Sequence, residues 1–458
     1  MLFLTSRHLA PKQDSSLLPN RMDILELYTY FKHCSGVTTD SRAPKRDSLF
    51  IALKGERFDG NDFALDALAK GCAYAVVDRA ELAQKEARCL YVEDSFVALT
   101  ELARMHRRRL GLPIIGITGT NGKTTTKELV SAVLAERYNV MHTEGNFNND
   151  VGVPKTLFRL NATHEIAVVE MGASHPGDIE KLVTYAEPTC GLITNVGRAH
   201  LLGFGSFEGV KQTKGELYDY LKAHDCLLFL NESNADLVDM ARQREMNRII
   251  TYGQSDDANV RGEVIDSAPF LHFSWTDLST TESKARTYEV ESHLIGAYNI
   301  DNMLAAITIG LHFGVTPEQI NHALESYVPA NNRSQLEVTA KNKLIVDAYN
   351  ANPSSMAAAI ENFKLMNVEH KMAILGDMRE LGEVSDLEHQ KLVDKLQADG
   401  FQEVWLVGEE FGKTHTNFRK FRNVDEVKTE IAAHCPENCY ILIKGSNGIK
   451  LYELPELL

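Results

Sequence analysis

The 458-residue sequence has no Cys-x-x-Cys pair; its seven cysteines, at positions 34, 72, 89, 190, 226, 435 and 439, are scattered along the chain. An odd, dispersed set of this kind suggests neither a zinc site nor a disulfide framework, and reads as reduced thiols in a cytosolic protein. Long hydrophobic runs are missing too, since none approaches the ~18 apolar residues of a membrane span. The apolar patch at positions 1–4 is too short for a secretory leader. Positive charge is in deficit, with 48 lysines and arginines against 63 aspartates and glutamates, a net charge of −15. That balance argues against a nucleic-acid partner, whose phosphates need a basic surface. A small anionic nucleotide, held by a few local donors, remains compatible with it. Internal repeats and low-complexity tracts are also lacking.

What is present is ordinary globular composition, 44% hydrophobic and 24% charged. At ~100–200 residues per domain, this length suggests three. Residues 1–21, polar and carrying Pro11 and Pro19, are expected to be a disordered extension or the result of a misassigned start. Regular patterning begins at Met22, the alternative start.

Residues 22–108 alternate short apolar runs, at 48–53 and 73–77, with a short amphipathic helix at 62–69. They read as a small α/β domain. Residues 109–330 open with an apolar strand at 112–118, a glycine-rich turn and a helix whose Leu129, Val130, Val133 and Leu134 share one face. Strand-like runs follow at 166–170, 191–195 and 226–230. Such alternation implies a mostly parallel sheet covered on both faces. A helix at 300–313 stops at Gly314, and Thr316, Pro317 and Gln319 start another with a capping box. Residues 331–458 restart the pattern with strands at 343–347, 372–375, 404–407 and 440–443. Ser385, with Glu388 three residues later, is expected to cap a helix between two of them. The fold class is therefore α/β, with a small N-terminal domain, a central P-loop-type ATPase domain and a doubly wound, Rossmann-like C-terminal domain.

The turn at 116–125 reads GITGTNGKTT. Glycines there let backbone N–H groups approach phosphate oxygens, and the following helix N-terminus favours negative charge. Lys123 would reach the β- and γ-phosphates and Thr124 would ligate Mg²⁺. The strict Walker spacing puts its first glycine where Ile117 stands, so this is a shorter variant loop. Glu170 closes the strand at 166–170, where the carboxyl ends of parallel strands gather ligands. One carboxylate there suits Mg²⁺ beside phosphate and water, although a surface glutamate is the plainer reading if it stood alone. His200 follows the end of the next strand. Lys214 falls on the apolar stripe Phe207, Val210, Leu217 and Leu221 of a helix near 206–222. A lysine on an inward face either snorkels or has a use, such as carbamylation by CO₂ to a metal-binding carboxylate.

Several stretches together resemble the Mur ligase family. They are GTNGKT at 119–124, TEGNFNNDVGVP at 143–154, EMGASHPGD at 170–178, NVGRAH at 195–200 and KGELY at 214–218. DAYNANPSS at 347–355 and LGDMRELG at 375–382 resemble its dipeptide-adding subgroup, as do TDSR at 39–42 and LKGERFDG at 53–60. The likeness covers residues 22–458. It implies an enzyme with a UDP-substrate domain, an ATPase domain and a C-terminal Rossmann-like domain, which joins D-alanyl-D-alanine to a UDP-N-acetylmuramoyl-tripeptide at the expense of ATP.

By resemblance, Gly119, Thr120, Asn121, Gly122, Lys123, Thr124 and Thr125 hold ATP phosphates. Thr124, Glu170, His200 and a carbamylated Lys214 hold Mg²⁺, with Lys123, His200 and Lys214 counted as catalytic. Asn299 and Asn302 lie where the family contacts adenine, Asp347 where it meets the ribose, and Arg333 closes over the phosphates. Ser41 and Arg42 belong to the uridine end. Asn148, Asn149, Ser174, His175, Asn350 and Asn352 belong to the peptide substrate. The sequence departs from the family at Tyr298, where histidine is expected, at Ser174 in place of asparagine, and at Asn447 in place of arginine. Two reactants entering from different domains imply closure, with hinges near 109 and 330. The charge balance and the short apolar runs point to no nucleic-acid partner and no membrane insertion, and a cytoplasmic monomer is the default expectation. Two rivals are another ATP-dependent amide ligase, such as a folylpolyglutamate synthase, and an ATP-binding protein that has lost the ligase chemistry.

Overall fold

The computed structural model describes residues 20–199, 201–279, 286–329 and 333–458. Residues 1–19 of the expected N-terminal extension at 1–21, His200 and the expected hinge near 330 lie outside the described residues. The chain divides into two compact units, one comprising residues up to Leu110 with Leu157–Leu160, the other Gly111–Thr156 with Asn161–Leu458.

In the first unit the regular pattern at Met22 becomes the helix Ile24–Phe31, whose N-cap Asp23 forms a capping box with Glu26. A four-stranded sheet follows in the order Val37–Thr38, Leu49–Ile51, Tyr74–Val77, Cys89–Tyr91, all parallel. The helix expected at 62–69 is a 3₁₀ turn, Gly60–Phe63, that runs into the α-helix Ala64–Ala69.

The second unit carries the two larger sheets. The nine-stranded sheet places Ile114–Thr118 between Ile166–Glu170 on one side and Cys190–Ile193 on the other. All three strands are buried along their whole length because helices cover both faces. Their carboxyl ends therefore open together at the point where the strand order reverses, which is where open α/β sheets bind ligands. The parallel part extends outward through Leu227–Asn231, Ile249–Gly253 and Val260–Asp266. Beyond it His272–Asp277 and Thr287–Glu291 add an antiparallel meander. That meander is not evident from the sequence: its strands bury only alternate or scattered positions, so they lack the apolar runs that mark the others.

The six-stranded sheet runs Gln335–Val338, Lys343–Asp347, Tyr440–Lys444, Lys371–Gly376, Glu403–Val407, Arg419–Phe421. Only the first strand is antiparallel. Period-two alternation sorts its side chains onto opposite faces. Ile345, Ala373, Leu375, Leu406 and Leu442 enter one apolar core, while Leu344, Val346, Met372, Ile374, Val407, Ile441 and Ile443 enter the other. Two cores on two faces make this part doubly wound.

The capping expectations divide. Thr316 accepts from Gln319 N with Pro317 at the first helical position. Ser385, however, is the first residue of the helix Ser385–Ala398, whose N-cap is Val384 with no side-chain capping bond. The preceding 3₁₀ turn Gly382–Val384 draws the helix start forward, and the Ser385 hydroxyl donates instead to Glu410 Oε2 at 2.8 Å.

Candidate active site

The strand Ile114–Thr118 ends in a turn that the backbone closes only because glycine occupies two positions. Gly119 has φ +143°, and a Cβ there would lie 2.0 Å from Thr194 Oγ1. Gly122, at φ +78°, is the N-cap of the helix Lys123–Ala135 and offers no side-chain acceptor to its first turn. The N–H groups of that turn are thereby left for an anion, at the end of the helix where the dipole favours one.

The neighbouring strand end holds the loop in shape. Thr120 N donates to Asn195 O at 2.9 Å and Asn121 N to Asn195 Oδ1 at 3.0 Å. Thr194 Oγ1 and Asn195 Nδ2 both donate to Asn121 O, at 2.6 and 3.0 Å. The Lys123 ammonium lies back across the turn, donating to Gly119 O at 2.9 Å and Thr120 O at 3.0 Å. Burial lowers its pKa; Glu170 opposes the shift and Arg333 adds to it.

Glu170 is 2% exposed. Thr124 Oγ1 donates to its Oε2 and Asn148 Nδ2 to its Oε1, each at 2.8 Å. Among the described residues no three His, Cys, Asp or Glu side chains converge as a metal cage. One carboxylate beside one hydroxyl, next to a phosphate loop, is nonetheless the donor set that Mg²⁺ accepts when phosphate and water complete its shell.

Lys214 lies on the helix Phe207–Ala223, which Ser206 caps by accepting from Gly209 N at 3.0 Å. It is 2% exposed, so the snorkelling alternative fails. Its ammonium has no hydrogen-bond partner among the described residues and stands 5.6 Å from the Phe204 ring centroid. Burial, and then the Lys123 charge, hold its pKa well below the usual lysine value, against the pull of Asp178, Glu216 and Glu170.

A cavity of about 690 Å³ opens from the loop and is lined by both large sheets' domains. Thr120 through Thr125, Asn148, Asn149, Glu170, Ser174 and His175 face it from the central part. The backbone N–H groups of Ser174 and His175 donate to Asp178 Oδ2, at 2.9 and 2.8 Å. Asn149 Oδ1 accepts from Gly152 N at 2.8 Å. Asn299 and Asn302 also line it, with their amides turned to the protein. Asn302 Nδ2 donates to Asn299 Oδ1 at 2.8 Å, while Asn302 Oδ1 accepts from Thr126 Oγ1 at 2.9 Å. Asn299 Nδ2 donates to Ile295 O at 2.8 Å. Tyr298 reaches Ser334 Oγ at 3.0 Å.

The C-terminal part contributes Arg333, Asp347, Asn350, Asn352 and Lys444 to the same lining. The Arg333 guanidinium stacks 3.9 Å from the Tyr349 ring centroid. Lys444 Nζ donates to Asp347 Oδ2 at 2.5 Å and to Asn350 O at 3.2 Å. Asn352 caps the helix Pro353–Leu365 and its Nδ2 donates to Asn121 Oδ1 in the phosphate loop, at 2.7 Å. Ser41 and Arg42 lie in the other unit, where Arg42 is exposed and pairs with Asp40 at 2.6 Å.

Sequence reasoning missed Thr194 and Asn195 as the brace of the loop, Tyr349 under Arg333, and Lys444 against Asp347. Asn195 ended an expected strand beside the phosphate loop, and that position was the available signal. The other three depend on contacts between distant segments.

A glycine loop at a helix N-terminus, with a lysine, a hydroxyl and a strand-end carboxylate around a two-domain cavity, defines a nucleotide-phosphate-binding α/β protein. Residues 117–310 match the Mur ligase middle domain, 332–447 the Mur ligase glutamate ligase domain, and 33–109 the Mur ligase family catalytic domain. The chain belongs to the Mur ligase family.

Its relatives include UDP-N-acetylmuramoyl-tripeptide–D-alanyl-D-alanine ligases from Bacillus subtilis, 34% identical with 92% of both chains covered, and from Escherichia coli, 34% identical with 92% of this chain and 93% of the relative covered. Among solved structures it resembles MurF from Acinetobacter baumannii, at a TM-score of 0.81 and 30% identity, covering 91% of this chain and 92% of that one. It also resembles MurF ligase from Thermotoga maritima in complex with ADP, at a TM-score of 0.81 and 25% identity, covering 92% and 96%.

Proposed function

We propose that this protein is the ATP-dependent ligase that joins D-alanyl-D-alanine to a UDP-N-acetylmuramoyl-tripeptide, completing a peptidoglycan precursor. The observation that carries the reading is the cavity in which Lys123, Thr124 and Glu170 meet Arg333, Asp347 and Asn352 from the C-terminal domain. An amide ligase must bring a nucleotide, an acid and an amine together, and a site shared between domains is suited to that. The names borne by relatives over nine-tenths of the chain supply the substrates.

A free carboxylate is a poor acylating agent, so the first step installs a leaving group. A carboxylate oxygen of the tripeptide attacks the γ-phosphorus of ATP; the P–O bond to ADP breaks and an acyl phosphate forms. The amine nitrogen of D-alanyl-D-alanine then attacks the acyl carbon. The C–N bond forms, inorganic phosphate leaves, and the amine's proton passes to solvent.

The protein's part is positioning and charge placement. Lys123 exchanges the carbonyls of Gly119 and Thr120 for phosphate oxygens, and the first-turn N–H groups of its helix donate to them as well. Thr124 and Glu170 are the residues that would hold Mg²⁺, which neutralises phosphate charge when bound. Arg333 stands to close over the phosphates, and Asp347 to meet the ribose. Asn148, Asn149, Ser174 and His175 are assigned to the peptide substrate and Ser41 and Arg42 to the uridine, as the family resemblance implies. The depressed pKa of Lys214 leaves a larger share of its amine neutral, the form that attacks CO₂ to give a carbamate as the nitrogen loses a proton to solvent. That carbamate, with His200, would serve the metal. The bonds made by Asn299 and Asn302 suggest that they shape the adenine end through the loop helix as much as by touching the base. The setting proposed is a cytoplasmic monomer, in the pathway that sustains cell shape and division.

The test is phosphate release from ATP with each acceptor alone and then with both. Release that needs the UDP-muramoyl-tripeptide and D-alanyl-D-alanine together, with a coupled pentapeptide product, supports the assignment. Release with a folate and glutamate, or with neither acceptor, overturns it.

A further inference from the structure

Lys127 lies one turn beyond Lys123 on the same helix and is 1% exposed, yet no step above uses it. A buried ammonium is costly unless its donors are taken. Here Nζ donates to Thr143 O at 2.7 Å and to Glu128 Oε1 at 2.5 Å. Thr143, itself fully buried, follows the edge strand Val140–His142. Its N–H continues the sheet ladder to Val168 O at 3.0 Å, and its hydroxyl then accepts the backbone N–H of Glu170 at 3.0 Å. A side chain thus takes the place of a ladder carbonyl at the one residue whose carboxylate faces Thr124.

Beyond Thr143 the chain turns back through Asn148. The Asn148 side-chain amide donates to Glu170 Oε1 at 2.8 Å, and the Asn148 backbone carbonyl accepts from Gly172 N at 2.7 Å. Glu170 is therefore held at its backbone nitrogen and at both carboxylate oxygens. Two of those three holds come from the segment 143–148, and Lys127 ties that segment to the helix that begins at the phosphate loop. Neither Lys127 nor Thr143 lines the cavity.

We propose that Lys127 and Thr143 are positioning residues, which set the direction of the Glu170 carboxylate for the divalent cation that accompanies the nucleotide. The inference rests on the nucleotide reading above. Partners that orient a metal's ligand act on the metal's affinity, not on the nucleotide's own contacts. A merely structural pin would weaken both alike, and this difference is what the test reads.

ADP binding to the full chain is measured by calorimetry with and without Mg²⁺, on wild type, Thr143→Val, Thr143→Ser and Lys127→Met. Valine keeps the shape of threonine and loses the acceptor; serine keeps the acceptor. The expected result is that the tightening of ADP binding by Mg²⁺ shrinks about 10- to 100-fold in Thr143→Val and Lys127→Met, with Mg²⁺-free affinity near wild type. Thr143→Ser should retain the wild-type response. A wild-type Mg²⁺ response in Thr143→Val overturns the proposal, as does an equal loss with and without Mg²⁺. If Lys127→Met does not fold, the valine and serine pair decides by the same criterion. A wild-type protein that binds no ADP overturns the nucleotide reading itself, and this inference with it.

Discussion

Replacing Gly119 by alanine tests the phosphate loop at the atom where it is tightest. Gly119 sits at φ +143°, a region that side-chain-bearing residues rarely adopt, and an added Cβ would lie 2.0 Å from Thr194 Oγ1. Holding alanine in that conformation costs about 1–3 kcal/mol. Relief of the clash requires Thr194 to turn away, which breaks its 2.6 Å bond to Asn121 O, a further loss of about 1 kcal/mol. The sum, about 2–4 kcal/mol, corresponds to a factor of roughly 30 to 900 in affinity at about 1.36 kcal/mol per tenfold.

Most of it should appear in nucleotide binding, because the empty loop is free to relax whereas the phosphate-bound loop must keep its shape. Calorimetric titration with ADP measures the loss, and thermal unfolding without nucleotide should show a smaller change. The double variant Gly119→Ala/Thr194→Ala removes the clashing atom and should recover part of the affinity, leaving the backbone strain. Undiminished ADP affinity in Gly119→Ala would falsify this account of the loop.

Three further outcomes are expected. Lys123→Ala should lower turnover by roughly two to three orders of magnitude, since one preorganised charge contact is worth about 3–4 kcal/mol; near-normal turnover would remove Lys123 from the mechanism. Burial holds the folded-state pKa of Lys214 well below 10.5, so between that value and 10.5 the unfolded chain binds more protons and this group's contribution to stability rises with pH. Lys214→Met should therefore flatten the rise of melting temperature between neutral and alkaline pH while abolishing turnover, and an unchanged slope would contradict the burial argument. Arg333→Ala should raise the KM for ATP by roughly 2- to 30-fold, the worth of a stacked guanidinium at about 0.5–2 kcal/mol, and Arg333→Lys should not restore it because an ammonium cannot stack flat on Tyr349.

Much of this protein could be read from one dimension. The strands Ile114–Thr118 and Ile166–Glu170 are apolar runs because parallel strands are buried on both faces along their whole length, and Lys343–Asp347 shows the same at its three middle residues. The phosphate loop was equally legible, since glycines, a lysine and threonines must be contiguous to wrap a phosphate. Lys214 stood out because a cation on an apolar stripe breaks the helical pattern. Where local pattern was weak or contested, reading stopped: the antiparallel meander after Val260–Asp266 buries too few positions to announce itself, and the Ser385 cap was displaced by a neighbouring 3₁₀ turn.

What the tertiary structure decided is how the separated pieces meet. Asn121 finds Asn195 and Asn352, Asp347 finds Lys444, Arg333 finds Tyr349, and Lys127 reaches Glu170 through Thr143. Periodicity encodes which way a side chain points from its own strand or helix. The partner it meets depends on strand order and domain docking, which are set by the packing of whole elements and leave no mark on the spacing of any one of them.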